Sequence, residues 1–189
     1  MSIVLASRSP RRMELLKKIG IEDFKVIADP SEEIITPGLS PEEQVTALSL
    51  QKAKNVAKTC SEDDVIIAAD TLVYLNDEPL GKPGSETEAK SMLKKLSGHK
   101  HSVYTGVAII KDDKQIQFFE KTDVYFRKIT DIEIDSYVET GEPMDKAGSY
   151  AAQGRAAMFI ERIDGDFFNV VGLPICRLST VLKDLGITL

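Results

Sequence analysis

Residues 2–20, SIVLASRSPRRMELLKKIG, decide how the rest of the chain is read. Ile3-Val4-Leu5-Ala6 is a short apolar run of the kind that forms a buried strand. Ser7-Arg8-Ser9 turns the chain. Ser9 suits an N-cap and Pro10 the first helical position. Met13, Leu16 and Ile19 follow at helical spacing, so the stretch predicts strand, tight turn and helix. Its charge opposes that helix. Arg11 and Arg12 fall in the first turn, where the macrodipole already presents positive charge, and Arg8 adds a third cation. Two readings stand side by side. The free N–H groups of the helix start hold an anion, most simply phosphate, with arginine forks as clamps. Alternatively the arginines are solvated and cost only tenths of a kcal/mol each.

A second helix start sharpens the contrast. Ser40-Pro41-Glu42-Glu43 also opens Ser-Pro, but its next two residues carry the sign that the dipole favours, and Ser40 with Glu43 forms a capping box. The helix runs to about residue 58 with Val45, Leu48 and Val56 inward; Lys52 and Lys54 are expected on its polar side. Before it, Phe24-Lys25-Val26-Ile27-Ala28 reads as a strand. That strand runs into Asp29-Pro30-Ser31-Glu32-Glu33, an acidic turn that is either a metal ligand set or a solvated loop.

Val65-Ile66-Ile67-Ala68-Ala69 is apolar throughout and predicts a central strand buried on both faces. Asp70 is expected near its carboxyl end, where open α/β sheets place ligands, with Leu72-Val73-Tyr74-Leu75 continuing the strand. A carboxylate beside a buried strand is costly unless a cation or metal pairs with it, so Asp70 reads as functional. Lys82, fixed between Gly81 and Pro83, is either a phosphate ligand reaching the Asp70 region or a solvated loop residue.

Ser85 to Leu96 reads as a helix boxed by Glu88 and stopped at Gly98. His99 and His101, the only histidines, alternate as on a strand; without a third ligand nearby they read as structural. Residues 102–110 and 115–126 predict a hairpin, and Thr130 caps a short helix ending at Gly141. Residues 142–155 form a long connection whose composition is not that of a disordered linker. Gly148 and Gly154 allow close backbone approach there, and Gln153 offers both a donor and an acceptor. Residues 156–163 and 167–171 are expected to pair as a second hairpin about Asp164-Gly165-Asp166. Pro174 then starts the last helix.

The chain's 189 residues carry a net charge of −6, which argues against broad attraction to nucleic acid or membrane. Cys60 and Cys176 have no metal-binding spacing and suit a reducing compartment. The first apolar run is too short for a signal peptide and no stretch is long enough to span a bilayer, so a cytoplasmic protein is expected. No Walker A, GxGxxG or HExxH sequence occurs, and no Ser/Cys–His arrangement suggests a covalent hydrolase. Local cations together with carboxylates at strand ends suit metal-assisted chemistry on a polyphosphate.

In order and spacing, Ser7-Arg8-Ser9-Pro10-Arg11-Arg12, Ala69-Asp70-Thr71, Gly81-Lys82-Pro83, Leu96-Ser97-Gly98, Asp145-Lys146-Ala147-Gly148, Gln153-Gly154 and Gly172-Leu173-Pro174 resemble the Maf family over essentially the full length. The resemblance implies a single α/β domain, 1–189. Its fold would be a two-lobed mixed sheet flanked by helices, inosine-triphosphatase-like (Maf/Ham1), with a central cleft. It implies a nucleoside triphosphate pyrophosphatase that uses a divalent metal (Mg, Mn or Co), works as a homodimer, and is linked to removal of modified nucleotides and to arrest of septum formation. Arg12, Thr71 and Gln153 match the signature of the branch acting on dTTP and UTP. By the same resemblance Asp70 is the catalytic base and a metal ligand. Ser7, Arg11, Arg12, Lys52, Thr71, Lys82, Lys146 and Gln153 bind substrate, and Glu33, rather than Glu32, is the second metal ligand. The competing reading is a nucleotide-sensing regulator of septum formation that needs no turnover. The enzyme is favoured, because a sensor has little use for carboxylates beside a polyanionic ligand.

Overall fold

The computed structural model describes residues 2–30 and 35–189. Strand β1 (Ile3–Leu5) leads through residues 6–9 into helix α1 (Pro10–Lys18). Strand β2 (Phe24–Val26) lies parallel to β1, and β1 lies parallel to β3 (Val65–Leu75), with Leu5 opposite both Val26 and Ile67. Between β2 and β3 in sequence runs α2 (Pro41–Ala57), opened by the complete Ser40–Glu43 capping box. The short β4 (Glu78–Leu80) turns back antiparallel on β3. Then come α3 (Glu86–Leu96), β5 (Lys100–Lys111) and β6 (Lys114–Phe126), the last two joined by a two-residue turn at 112–113. Helix α4 (Asp131–Val138), a run of 3-10 turns through Phe159, strand β7 (Ile160–Asp164), and helices α5 (Phe167–Val171) and α6 (Ile175–Asp184) complete the chain. The strands form a seven-stranded mixed sheet in the order β2-β1-β3-β5-β6-β7, with β4 on β3. The mixed α/β class expected from the alternating pattern is what the chain adopts.

Two compact units divide the residues. One comprises Met1–Asp70, Thr105–Glu120 and Gly172–Leu189; the other comprises Thr71–Tyr104 and Lys121–Val171. In the first, Val4, Ala6, Ala53, Val56, Ile66, Ala68 and Ala108 form a core of small side chains. Its tightest point is Gly106, where a Cβ would overlap the Val45 carbonyl, so α2 rests directly on the β5 backbone. The second unit has its own core, in which Leu93, Leu96, Val124, Ile134, Tyr137 and Phe159 are almost wholly buried.

Three local expectations change. Asp70 lies in the middle of β3 rather than near its carboxyl end, the strand continuing to Leu75 as expected. It does lie beyond the end of β1, which stops opposite Ile67, so it follows the carboxyl end of the parallel part. Residues 167–171 are helical rather than the return strand of a hairpin. The Asp166 carboxylate accepts from the Phe168 N–H at 2.7 Å, and Asn169 is buried, its amide donating to the Val103 carbonyl at 3.0 Å and to Thr122 Oγ1 at 2.9 Å. Ser85 caps α3, but Glu88 does not close a box on it; the Glu88 carboxylate accepts from the Gly84 N–H instead, at 2.7 Å.

Candidate active site

The residues of the first unit gather at the ends of β1 and β2 and along β3. After Leu5 the chain leaves the sheet with the Ala6 N–H donating to the Ile67 carbonyl at 2.8 Å, which fixes where Ser7 begins the turn. Ser7 is buried, and its hydroxyl oxygen accepts from the Ser9 N–H at 3.2 Å and from Arg12 Nη1 at 3.1 Å. An oxygen that accepts twice still has its own hydrogen to donate. Arg12 also donates from Nε to the Gly172 carbonyl at 2.8 Å. One edge of the guanidinium is thus held by the protein backbone, which sets the plane of the fork. Ser9 occupies the N-cap position with extended backbone, but its side chain makes no capping bond. The first turn of α1 contains no acidic residue. Arg11, half-buried there, pairs with no carboxylate among the described residues.

Lys52 departs from the polar-face expectation. Its side chain is only 14% exposed and forms an ion pair with Asp70 Oδ1, whose own side chain is 4% exposed. Near position 52 the helix faces β3, so the aliphatic stem is covered while the ammonium meets the Asp70 carboxylate. The pair offsets the cost of burying a charge in the middle of the sheet. Only half of Asp70 is used in this way. Its Oδ2 is buried and has no partner among the described residues.

That orphaned oxygen is the test for the divalent cation. An anionic oxygen, buried and without a donor, is the ligand type that Mg²⁺ or Mn²⁺ takes, and it fits. Among the described residues no group of three or more His, Cys, Asp or Glu side chains surrounds one point. Glu33, the expected second ligand, and Glu32 lie outside the described residues. Asp29, which opens the acidic turn, is held at the same helix as Lys52: Asn55 Nδ2 donates to its Oδ2 at 3.1 Å.

The second unit holds the other candidates. Thr71, half-buried, follows Asp70 directly in β3. Lys82 is exposed in the loop after β4, and that loop is tied to residues 142–155 by the Gly148 N–H donating to the Gly81 carbonyl at 3.1 Å. Lys146, 12% exposed, is engaged by the Asp145 carboxylate and donates to the Glu142 carbonyl at 3.3 Å. Gln153 is exposed in a turn closed by the Gly154 N–H donating to the Ala151 carbonyl at 3.0 Å. The 142–155 connection is accordingly an ordered series of tight turns. His101 is structural: Nε2 shares a hydrogen with Tyr150 Oη at 2.8 Å, and the ring meets Phe126 and Tyr150 edge-on. Burial lowers its pKa to about 4. His99 lies just before β5, exposed.

Some partners escaped the sequence reading. The Gly172 carbonyl that holds Arg12 is 160 residues away in sequence, and a backbone acceptor leaves no compositional signal. Glu142 and Tyr137 carried no motif of their own, yet they organise the turn that bears Gln153.

The chain is similar to known proteins. A dTTP/UTP pyrophosphatase of Bacillus cereus (strain AH820) is 50% identical over 185 residues, 98% of this chain and 96% of that protein. A dTTP/UTP pyrophosphatase of Bacillus anthracis (strain CDC 684 / NRRL 3495) matches to the same extent. Among solved structures, the Staphylococcus aureus Ham1 protein superposes with a TM-score of 0.56 at 17% identity, covering 98% of this chain and 100% of that one. A HAM1 protein from Coxiella burnetii gives 0.53 at 18%, covering 97% and 99%. The fold is therefore Ham1-like. A family model described as Maf-like protein matches residues 2–185, and the chain belongs to that family.

Proposed function

We propose that this chain is a nucleoside triphosphate pyrophosphatase for dTTP and UTP, acting as one domain over residues 1–189. The observation that carries the reading is the half-used Asp70 carboxylate. One oxygen is fixed by Lys52, and the other is buried and open to a new partner. Water attacks the α-phosphorus, the bridge to the β-phosphorus breaks, and pyrophosphate leaves a nucleoside monophosphate behind. Asp70 takes the proton of the attacking water, a general-base role worth typically about 10²–10⁴ in rate. Arg12, held in plane by Ser7 and Gly172, binds phosphate oxygens as a fork, with Arg11, the Ser7 hydroxyl and the N–H groups of the turn assisting. Lys52 orients Asp70, and Lys82 and Lys146 add positive charge toward the phosphates.

Gln153, with Thr71 beside Asp70 in sequence, reads the base. Uracil and thymine present acceptor, donor, acceptor along one edge, and a side-chain amide pairs with two of these at once. Cytosine breaks that pattern. The 5-methyl group lies off the edge, so dTTP and UTP both fit, as do uridine and thymidine triphosphates modified there. A divalent cation would be held by Asp70, and by Glu33 by resemblance; when bound it neutralises phosphate charge and acidifies water. A cytoplasmic homodimer belongs to the same reading, and no helix among the described residues is long and apolar enough to cross a membrane. The relatives' names favour turnover over a purely regulatory role.

The test is pyrophosphate release from purified protein with Mg²⁺ and each nucleoside triphosphate, wild type against Asp70→Asn. The expected result is turnover of dTTP and UTP well above CTP and ATP, with kcat falling by roughly 10²-fold or more in the variant while nucleotide still binds. Near-normal kcat in Asp70→Asn would remove it as the base.

A further inference from the structure

The Gln153 turn is gripped at both shoulders by two side chains to which the reaction assigns no task. Tyr137, at the end of α4, is 1% exposed, and its ring packs edge-on against Phe159 at 5.4 Å between centroids. Its Oη donates to Glu142 Oε1 at 2.9 Å and faces the Ala151 backbone. Glu142 Oε2 accepts from the Arg155 N–H at 3.1 Å. Gln153 sits midway between Ala151, which Tyr137 faces, and the anchored Arg155 amide. The carboxylate also lies flat against the turn: a Cβ at Gly154 would overlap it. Glu142 is itself fixed, its N–H donating to Thr140 Oγ1 at 3.2 Å and its carbonyl accepting from Lys146 Nζ. Burial and the neighbouring carboxylate both push the Tyr137 phenol's pKa up, so it remains a donor.

A side chain that reads a base through two hydrogen bonds needs its backbone fixed to within about half an ångström. Gln153 is exposed and its own side chain cannot supply that constraint. We propose that Tyr137 and Glu142 are positioning residues for base discrimination, acting as a clasp that holds the backbone on either side of Gln153. The proposal rests on Gln153 reading the base.

The test is a mutant cycle on Glu142→Gln and Gln153→Ala, with Tyr137→Phe as an independent way to open the clasp. kcat and KM are measured for UTP and CTP in each. Glutamine at 142 can accept from only one of the two donors, so one shoulder is released with little change of volume. The expected result is that Glu142→Gln and Tyr137→Phe each cut the UTP-to-CTP ratio of kcat/KM by about tenfold, mainly through KM for UTP, and that the Glu142→Gln effect disappears in the Gln153→Ala background. Equal falls for both nucleotides, or the same loss of discrimination with and without Gln153, would overturn the clasp while leaving Gln153 its role. A Gln153→Ala variant with unchanged discrimination would overturn the base reading itself, and the clasp with it.

Discussion

Arg12 shows what one side chain gains from being held. A guanidinium in water samples many orientations, and fixing it costs side-chain entropy each time it binds. Here the Gly172 carbonyl and the Ser7 hydroxyl have already fixed it. Lysine carries the same charge but cannot make the planar, two-sided contact. Arg12→Lys should therefore lower kcat/KM for dTTP and UTP by about tenfold or more, the scale of one charge-assisted contact, with little change in the midpoint of urea unfolding. Wild-type kcat/KM in that variant would show that charge alone suffices. Arg11 and Arg12 were conspicuous in the sequence because they violate the dipole rule that Glu42 and Glu43 obey. The Lys52–Asp70 pair was not, since periodicity places a residue on a helix face but does not say which strand that face meets. A different titration operates at His101. The unfolded side chain titrates near 6.5, and burial lowers the folded value to about 4. Below pH 6.5 the unfolded chain takes up a proton that the folded chain refuses. This contribution to stability is complete above pH 6.5 and is lost as pH falls toward 4, to a total of about 3 kcal/mol. Urea unfolding across that window should show a slope that flattens in His101→Gln; an unchanged slope would assign the acid sensitivity to other groups.

At the level of elements, what the sequence conveyed was periodicity and caps. Ser40 with Glu43 and Thr130 with Glu133 announced α2 and α4, and both boxes are complete. The failure at 167–171 has a physical cause. Phe167-Phe168-Asn169-Val170-Val171 has strand-like composition, and only its tertiary partners, the Val103 carbonyl and Thr122, reveal that Asn169 must point inward from a helix. Asp70 was misplaced by the same kind of gap: one strand serves two neighbours of different length, and composition does not mark where the shorter one stops. Contact between elements also sets their tolerance. At Gly106 the α2 backbone and β5 touch with no room for a methyl group, and the obstruction is the backbone at Val45 rather than a movable side chain. Gly106→Ala is expected to cost about 1–3 kcal/mol or more by overpacking, read as a drop in the urea midpoint. An unchanged midpoint would mean that α2 can lift from the sheet at little cost. Since α2 carries Lys52, a lifted helix would also disturb the Lys52–Asp70 pair.

For the molecule as a whole, the constraint is that a polyanion must bind to a chain of net charge −6. General attraction is unavailable, so in the proposed reading binding energy comes from local groups: the fork at Arg12 and the lysines at 82 and 146. On that proposal those groups recognise phosphates and are indifferent to the base, and the preference for UTP over CTP comes from the turn at Gln153. Strands β3, β5 and β6 each contribute residues to both compact units, so a single melting transition is expected. A ligand that binds only the folded state raises stability by RT ln(1 + [L]/Kd), about 2.7 kcal/mol at 100 times Kd. For a chain of this length that is a rise in Tm of roughly 5–10 °C. Asp70→Asn allows the measurement without turnover. With Mg²⁺ and UTP or dTTP at saturating concentration its Tm should rise by that amount. A tenfold weaker ligand gives about 1.4 kcal/mol less at the same concentration, so CTP should fall short by roughly 3–5 °C. Equal shifts for the three pyrimidine nucleotides would mean that binding senses phosphate alone, and the choice of substrate would then have to be made in the transition state rather than in the bound complex.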